Sequence, residues 1–251
     1  MNSKSIKIND YEYSYYDVGD SSDVLIFLHG AFHSMEFGAR FFPSFKMYRC
    51  ISLDLPGHNG LSKQGLTSLD QIVDYLDGLV SHLEYRTVSL VGFSFGAIIA
   101  ALYVDKYRAK RNIKKVVLWS GPFNGIPLTT IMGLKFMYLF RGLGDHWRYS
   151  LIQKILAVFN LRLSAKEVQS ILSGDVKYIC NLLGQIKNIR VNKKSNVMII
   201  MGDHEKVFDV KNTEEIGGSD MIRVVKGGGH FGTKEGWKAS TKLVKDFLRN
   251  E

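Results

Sequence analysis

The chain has 251 residues, of which 45% are hydrophobic and 23% are charged, and this composition excludes collagen, coiled coils and disordered tails. Its 33 lysines and arginines against 24 aspartates and glutamates give a net charge of +9, which nucleic acid, anionic lipid or an acidic substrate would each explain. No apolar run approaches the ~20 residues that a membrane span needs, and the N-terminus does not resemble a signal peptide, so we expect a protein retained in the cytoplasm.

Short apolar segments alternate with amphipathic ones along the chain, which predicts an α/β fold with a mostly parallel sheet and helices on both faces. At the start, the alternating segment Tyr11–Tyr16 predicts an antiparallel edge hairpin with Ser5–Ile8. Six later segments predict strands: Val24–Leu28, Cys50–Leu53, Val88–Val91, Val116–Trp119, Val197–Met201 and Met221–Val225. Helices are predicted at residues 69–83, which Ser68 would cap, at 97–102 and at 237–248.

One region breaks this alternation. Residues 123–192 have an almost wholly helical pattern, rich in leucine, isoleucine, phenylalanine and methionine. A structureless loop of that length does not belong in a compact domain. We therefore expect a single domain over residues 1–251, with a helical lid at 123–192 inserted between two strands.

The most informative local motif is Gly92-Phe93-Ser94-Phe95-Gly96. It follows a predicted strand and precedes a predicted helix, the context in which a nucleophilic serine occupies a tight turn between small residues. Because the chain contains 24 glycines, such a motif also arises by chance. Its interpretation as a nucleophile therefore depends on finding a base and an acid at the same edge of the sheet.

Both partners are available after the last two strands. His230 ends the sequence Gly227-Gly228-Gly229-His230 beyond the final strand, and it suits a base that takes the proton of Ser94. Asp203 and Glu205 both lie just past the preceding strand, so either could orient His230. Three other histidines, His33, His82 and His146, do not follow a strand end in this way, and we expect surface or packing roles for them.

In this order of serine, acid and histidine the chain resembles the α/β-hydrolase family over nearly its whole length. Two further segments carry the resemblance, His29-Gly30 after the third strand and Asp54-Leu55-Pro56-Gly57-His58 after the fourth. The family's usual signature here is Gly-x-x-Asp, in which the fourth residue is the catalytic acid. When its glycine is aligned with Gly202, the fourth position is Glu205. The resemblance thus favours Glu205 over Asp203 as the acid, although the family more often has aspartate.

The resemblance also implies roles for the loops around the serine. The backbone N–H groups of Ala31 and Phe95 would form the oxyanion hole that holds the substrate oxygen. His29 is expected to form structural hydrogen bonds, and residues 54–58 are expected to be scaffold near the site. Haloalkane dehalogenases and epoxide hydrolases of this fold have an aspartate in place of Ser94, which makes both activities improbable for this chain.

What the resemblance implies is a serine hydrolase of the carboxylesterase or lipase kind, acting without a cofactor or metal on a small to medium apolar acyl ester. Thioester, amide and carbon–carbon bond cleavage would use the same groups. A ligand-binding member with negligible turnover and a peripheral membrane protein are alternatives from other classes. The two cysteines, Cys50 and Cys180, have neither zinc-ligand spacing nor a disulfide framework.

The surplus of positive charge lies in the predicted lid and in the residues that directly follow it. Residues 126–196 contain eleven lysines and arginines and three acidic residues, a net charge of +8. The segment 131–141 is apolar with two cations, Lys135 and Arg141, which favours a hydrophobic substrate and is compatible with weak contact to an anionic membrane surface. Simple solvation of these cations is the alternative that we prefer. We expect no nucleic-acid partner, since no recognition module accompanies the charge.

Overall fold

The computed structural model describes residues 1–139, 150, 174–191, 196–205, 219–230 and 234–249. The strands in these ranges are β1 (Lys4–Ile8), β2 (Tyr11–Val18), β3 (Asp23–Leu28), β4 (Arg49–Leu53), β5 (Thr87–Phe93), β6 (Ile113–Trp119), β7 (Val197–Gly202) and β8 (Ile222–Val225). The α-helices there are α1 (Glu36–Ala39), α2 (Leu69–His82), α3 (Phe95–Tyr107), α4 (Leu128–Leu139), α5 (Val176–Leu183) and α6 (Lys234–Arg249). Single 3₁₀ turns are formed by Phe42–Ser44 and Ser219–Met221.

The strands of the described residues form one sheet in the order β1-β2-β4-β3-β5-β6-β7-β8. β2 is antiparallel to both of its neighbours, whereas all strand pairs from β4 to β8 are parallel. The carboxyl ends of six strands therefore meet at one edge, where a ligand site is expected. This topology confirms the predicted sheet and its antiparallel hairpin.

The central strands are buried on both faces. In β3, for example, alternate residues enter different apolar clusters, with Val24 and Ile26 in one and Leu25 and Phe27 in the other. β6 begins three residues earlier than the apolar run predicted, because Lys115 interrupts the run but is buried with its Nζ 4.8 Å from the centre of the Phe247 ring. A cation over an aromatic face is a stable way to bury a lysine in a strand.

Helices cover both clusters. On one face, α2 starts at the predicted cap: the Ser68 hydroxyl accepts from the Gln71 N–H and the Gln71 side chain accepts from the Ser68 N–H. α3 is apolar around its circumference because it is buried between α2 and the sheet. On the other face, α1 contributes Phe37, and α6 contributes Val244 and Leu248.

The structure describes two helices within the predicted lid. α4 and α5 are in contact, and α5 is capped by Asp175, whose carboxylate accepts from the Tyr178 N–H at 3.0 Å. Residues 140–149, 151–173 and 192 of the predicted lid lie outside the described residues, so the insertion as a whole remains a prediction. Within the described ranges, no helix is long and apolar enough to cross a membrane.

Candidate active site

Ser94 occupies the turn between β5 and α3 with backbone angles φ 52° and ψ −114°, a strained conformation for a residue with a side chain. The turn closes because both flanking glycines touch backbone. A Cβ on Gly92 would overlap the backbone of Gly96, and a Cβ on Gly96 would overlap the carbonyl group of Leu28. The Ser94 N–H donates to the Trp119 carbonyl oxygen at 2.8 Å, which holds the turn against β6.

His230 reaches Ser94 from the loop after β8. Its Nε2 lies 3.0 Å from the Ser94 Oγ, and its ring packs 5.4 Å from the centre of the Phe93 ring. The loop starts as a turn in which the Gly228 N–H donates to the Val225 carbonyl oxygen at 3.1 Å. Both side chains are largely shielded from solvent, with Ser94 9% and His230 7% exposed.

Glu205 completes the series of contacts from the loop after β7. Its Oε2 lies 3.0 Å from the His230 Nδ1, and its side chain is fully buried. The two loops are held together because the His204 N–H donates to the Gly228 carbonyl oxygen at 2.8 Å and because a Cβ on Gly202 would overlap that same carbonyl. We call Ser94, His230 and Glu205 the serine cluster.

Asp203, the alternative acid, points elsewhere. Its Oδ1 lies 2.8 Å from the Nδ1 of the adjacent His204, and its side chain is 33% exposed. The difference arises because Asp203 leaves β7 at once, whereas the chain turns back at Glu205, whose N–H donates to the Gly202 carbonyl oxygen at 3.3 Å.

The hydrogen bonds of His230 fix a chemically useful arrangement. A carboxylate can only accept, so the Glu205 contact places the imidazole proton on Nδ1 and leaves Nε2 as an acceptor for the Ser94 O–H. This is the tautomer in which a histidine can act as a general base toward a serine.

The two predicted oxyanion donors flank Ser94. The loop after β3 passes so close that a Cβ on Gly30 would lie 3.1 Å from the Ser94 Cβ, and Ala31 follows directly. Phe95 is the first residue of α3, where N–H groups have no partner within the helix and carry the positive end of its dipole. Both segments thus lie beside Ser94, and the oxyanion roles of Ala31 and Phe95 remain a prediction.

A second buried group, which we call the turn cluster, consists of His29, Asp54 and His58 beneath this loop. His29 accepts from the Leu55 N–H at 3.0 Å through Nε2, and its Nδ1 donates to the Gly30 carbonyl oxygen at 2.8 Å. Burial holds its pKa well below the usual value, so the ring is neutral. Its bonds are to backbone, as the expected structural role of His29 requires.

Asp54 links the turn to the start of α1. Its carboxylate accepts from the Met35 N–H at 2.7 Å and from the Asn59 side-chain amide at 3.1 Å, and burial raises its pKa to about 6. Asn59, directly after this turn, is thus a partner of Asp54. In the ranges that the structure describes, no group of three or more His, Cys, Asp or Glu side chains is arranged to hold a metal ion.

Known proteins resemble this chain in sequence over one family model and in fold over nearly its whole length. The alpha/beta hydrolase fold family matches residues 23–176. Proline iminopeptidase PfmaB from Pestalotiopsis fici is 32% identical over 109 residues, which are 41% of this chain and only 38% of that protein.

Among solved structures, an epoxide hydrolase from Bacillus megaterium superposes with a TM-score of 0.72 at 18% identity, covering 98% of this chain and 100% of the other. A hydrolase from Pseudomonas aeruginosa superposes with a TM-score of 0.74 at 15% identity, covering 99% of each chain. Likeness at such identities extends to the fold alone.

Proposed function

The chain belongs to the alpha/beta hydrolase fold family, and within it we propose that the protein is a serine hydrolase that cleaves an ester-like bond of a small to medium apolar acyl substrate. The observation that carries this proposal is the unbroken series of hydrogen-bond distances in the serine cluster, 3.0 Å from the Ser94 Oγ to His230 and 3.0 Å from His230 to Glu205. Serine is a weak nucleophile at neutral pH unless such a base takes its proton.

In the proposed first half-reaction, the Ser94 Oγ bonds to the ester carbonyl carbon while its proton passes to the His230 Nε2. The buried Glu205 carboxylate stabilises the resulting imidazolium through Nδ1 without taking the proton. The carbonyl oxygen becomes an anion and accepts hydrogen bonds from the N–H groups of Ala31 and Phe95. As this oxygen reforms the carbonyl, the bond to the alkoxy group breaks, and His230 gives the proton to the departing alcohol.

The second half-reaction repeats these steps with water. His230 takes a proton from a water molecule as the water oxygen attacks the acyl carbon, and the Ala31 and Phe95 amides again hold the oxyanion. The proton then returns from His230 to the Ser94 Oγ as the acid departs. Each group thus ends in its starting state, as catalysis requires.

An apolar substrate is supported by the segment that would cover the site. Residues 131–141 are apolar apart from Lys135 and Arg141, and Ile131 is buried in the same apolar cluster as Phe95. A cover of this composition would exclude water and favour an acyl chain over a charged group.

The relatives suggest other bonds for comparison. The similarity to proline iminopeptidase PfmaB supports an amide as a second candidate substrate. The fold is shared with an epoxide hydrolase, but this chain has a serine at position 94 and not an aspartate, so we do not propose an epoxide substrate. Ester hydrolysis makes the smallest demand on the serine cluster because an alcohol leaves more readily than an amine. We therefore place esters first and amides second.

A fluorophosphonate probe and a substrate panel test the proposal together. We expect the probe to label Ser94 in folded protein, and we expect aryl esters with acyl chains of graded length to be hydrolysed faster than a proline arylamide. Folded protein that remains unlabelled would refute the serine hydrolase proposal. Labelling without turnover of any ester or amide would favour the ligand-binding alternative, and turnover of the arylamide alone would favour a peptidase.

Contact with an anionic membrane is a second candidate, supported by one face of α4. Leu128 and Met132 are 70% and 59% exposed, and Lys135, one turn further on, is also exposed. Met132→Gln should weaken sedimentation with anionic vesicles at low salt, whereas Met47→Gln, at an exposed methionine outside the predicted lid, should not. Absence of vesicle binding by the unmodified protein at both low and moderate salt would remove this candidate.

A further inference from the structure

His58, in the turn cluster, has an imidazole nitrogen that no described residue contacts by a hydrogen bond. The side chain is fully buried, and its Nδ1 lies 3.1 Å from the Pro56 carbonyl oxygen. A carbonyl can only accept, so Nδ1 carries the proton of the neutral ring and Nε2 is an acceptor. Among the residues that the structure describes, no hydrogen-bond donor reaches this Nε2. Burial lowers the pKa of His58 to about 4, which keeps the ring neutral.

Tyr178 of α5 presents a second unpartnered group beside the same turn. Its side chain is 7% exposed, and its hydroxyl is shielded from solvent and has no hydrogen-bond partner in the described part of the chain. The ring lies against Gly57, where a Cβ would overlap it, and the Asp175 N–H at the start of α5 donates to the Gly57 carbonyl oxygen at 2.9 Å. Tyr178 is therefore held against the residue that precedes His58.

The position of His58 connects this pair to the proposed oxyanion hole. Its ring centre lies 6.0 Å from that of Phe95, nearly parallel, and 4.9 Å from that of His29 in an edge contact. Phe95 provides one proposed oxyanion donor itself, and His29 precedes the other, Ala31, by two residues. His58 thus packs against both segments that would hold the substrate carbonyl.

Buried polar groups without partners are rare in proteins, and two of them at one turn point to a ligand group or a buried water that satisfies them. A neutral hydroxyl fits because it donates to the His58 Nε2 and accepts from the Tyr178 O–H. A carboxylate does not fit, since it has no proton to donate to a neutral imidazole.

We propose that His58 and Tyr178 form a polar subsite next to Ser94 that binds a neutral hydroxyl of the substrate, so that the preferred substrate is a hydroxylated ester. This inference rests on the proposed hydrolase function and narrows its substrate class. A bound water has the same hydrogen-bonding chemistry, and the experiment below separates the two sources.

The test uses pairs of aryl esters that differ by a single hydroxyl, placed at successive positions on the acyl side and on the alcohol side. For at least one position, we expect the unmodified protein to have a kcat/KM roughly 5- to 10-fold higher for the hydroxylated ester than for its deoxy partner, the effect of one or two neutral hydrogen bonds. Tyr178→Phe and His58→Phe should each bring this ratio close to one.

Tyr107→Phe is the matched control. The Tyr107 hydroxyl donates to Asp74 at 2.6 Å on the outside of the molecule, so its removal should leave the ratio between paired esters unchanged. Tyr178→Phe deletes one oxygen and retains the ring on Gly57, which keeps the inference testable if His58→Phe does not fold.

Binding of the intact esters to Ser94→Ala, measured by calorimetry, separates failure of this inference from failure of the proposed function. If no ester is hydrolysed but Ser94→Ala binds a hydroxylated ester more tightly and Tyr178→Phe removes that preference, the subsite stands and the hydrolase proposal falls. If no hydroxyl position is preferred in either measurement, or if the preference survives Tyr178→Phe, the inference is overturned. Loss of thermal stability in Tyr178→Phe, without any hydroxyl preference in the unmodified protein, would assign the two groups to a buried water instead.

Discussion

The serine cluster and the turn cluster contain similar side chains and lie at the same edge of the sheet, yet their histidines have different hydrogen-bond partners. Each contains a buried carboxylate and at least one buried histidine. In the serine cluster both nitrogens of His230 are 3.0 Å from side-chain oxygens, one of which belongs to a nucleophile. In the turn cluster, His29 bonds only to backbone through its two nitrogens, and Asp54 holds a backbone N–H and an amide.

This contrast teaches that a buried histidine near an acid is not by itself a reaction centre. A histidine that bonds to backbone on both nitrogens stabilises a loop, because neither nitrogen can exchange a proton with a substrate. A histidine between a carboxylate and a hydroxyl can move a proton, because the carboxylate stabilises the charge that forms. Substitutions in the two clusters test this distinction, and the largest effect is expected at the histidines.

The same substitution in both clusters should have opposite consequences. His230→Gln removes the proposed base, and we expect ester turnover to fall by ~10⁴- to 10⁶-fold with little change in stability. His29→Gln removes hydrogen bonds within the scaffold, and we expect the free energy of unfolding to fall by about 1–3 kcal/mol while turnover by the folded fraction falls far less. Steady-state kinetics and urea unfolding measure the two effects, and equal losses of turnover would abolish the distinction.

The two acids after β7 should differ in the same way. Glu205→Gln leaves His230 without a carboxylate, and we expect turnover to fall by ~10³- to 10⁴-fold. Asp203→Asn alters a partly exposed contact with His204, which should change turnover by no more than roughly 3-fold. The two variants are compared by kcat at saturating ester, and the reverse ranking would make Asp203 the acid.

Crowding the Ser94 turn should have a smaller effect. In Gly30→Ala the new methyl would lie 3.0 Å from the Phe93 ring and 3.1 Å from the Ser94 Cβ, so the serine must shift by a few tenths of an ångström. We expect kcat to fall roughly 10-fold, since catalysis is sensitive to small displacements of the nucleophile. Gly184→Ala is the control because a Cβ there makes only ordinary contacts, the nearest at 3.5 Å. Equal kcat values for the two variants would show that the Gly30 loop does not position Ser94.

Much of this architecture could be predicted from sequence because its signals are local. The apolar runs of β3 and β7 indicate their own burial, and Ser68 with Gln71 forms a capping box within four residues. Gly92 is likewise required by its own turn, because a Cβ there would overlap the backbone of Gly96. Short α1, with four residues and no side-chain cap, has no comparable signal.

What could not be predicted depends on contacts between distant segments. Sequence alone leaves Glu205 and Asp203 as rivals, because the choice depends on how the loops after β7 and β8 meet at Gly202 and Gly228. The partnership of His58 with Tyr178 links segments 120 residues apart, and neither residue belongs to a motif that indicates the other. In the same way, Lys115 interrupts β6 in the sequence and finds its aromatic partner only in α6.

The last prediction concerns the charge state of the turn cluster and is measured as the pH dependence of stability. Burial lowers the pKa of His58 in the folded state to about 4, below its ordinary value of 6.5. Between these values the unfolded chain binds a proton that the folded protein does not, so stability falls as the pH is lowered through this window. The contribution of His58 is on the order of 3 kcal/mol between pH 7 and pH 4.

Asp54 acts in the opposite direction, because its folded pKa of about 6 lies above the ordinary 3.8 and the folded protein gains the proton first. The net pH dependence of the unmodified protein is therefore uninformative, and the difference from His58→Phe is the quantity to measure. Urea unfolding at pH 7 and pH 4 should give a stability difference between the two proteins that shifts in favour of His58→Phe at pH 4. A constant difference would mean that His58 is not held neutral by folding. A ring that is protonated at pH 4 has no acceptor nitrogen, so at that pH the proposed subsite would lack the acceptor for the substrate hydroxyl.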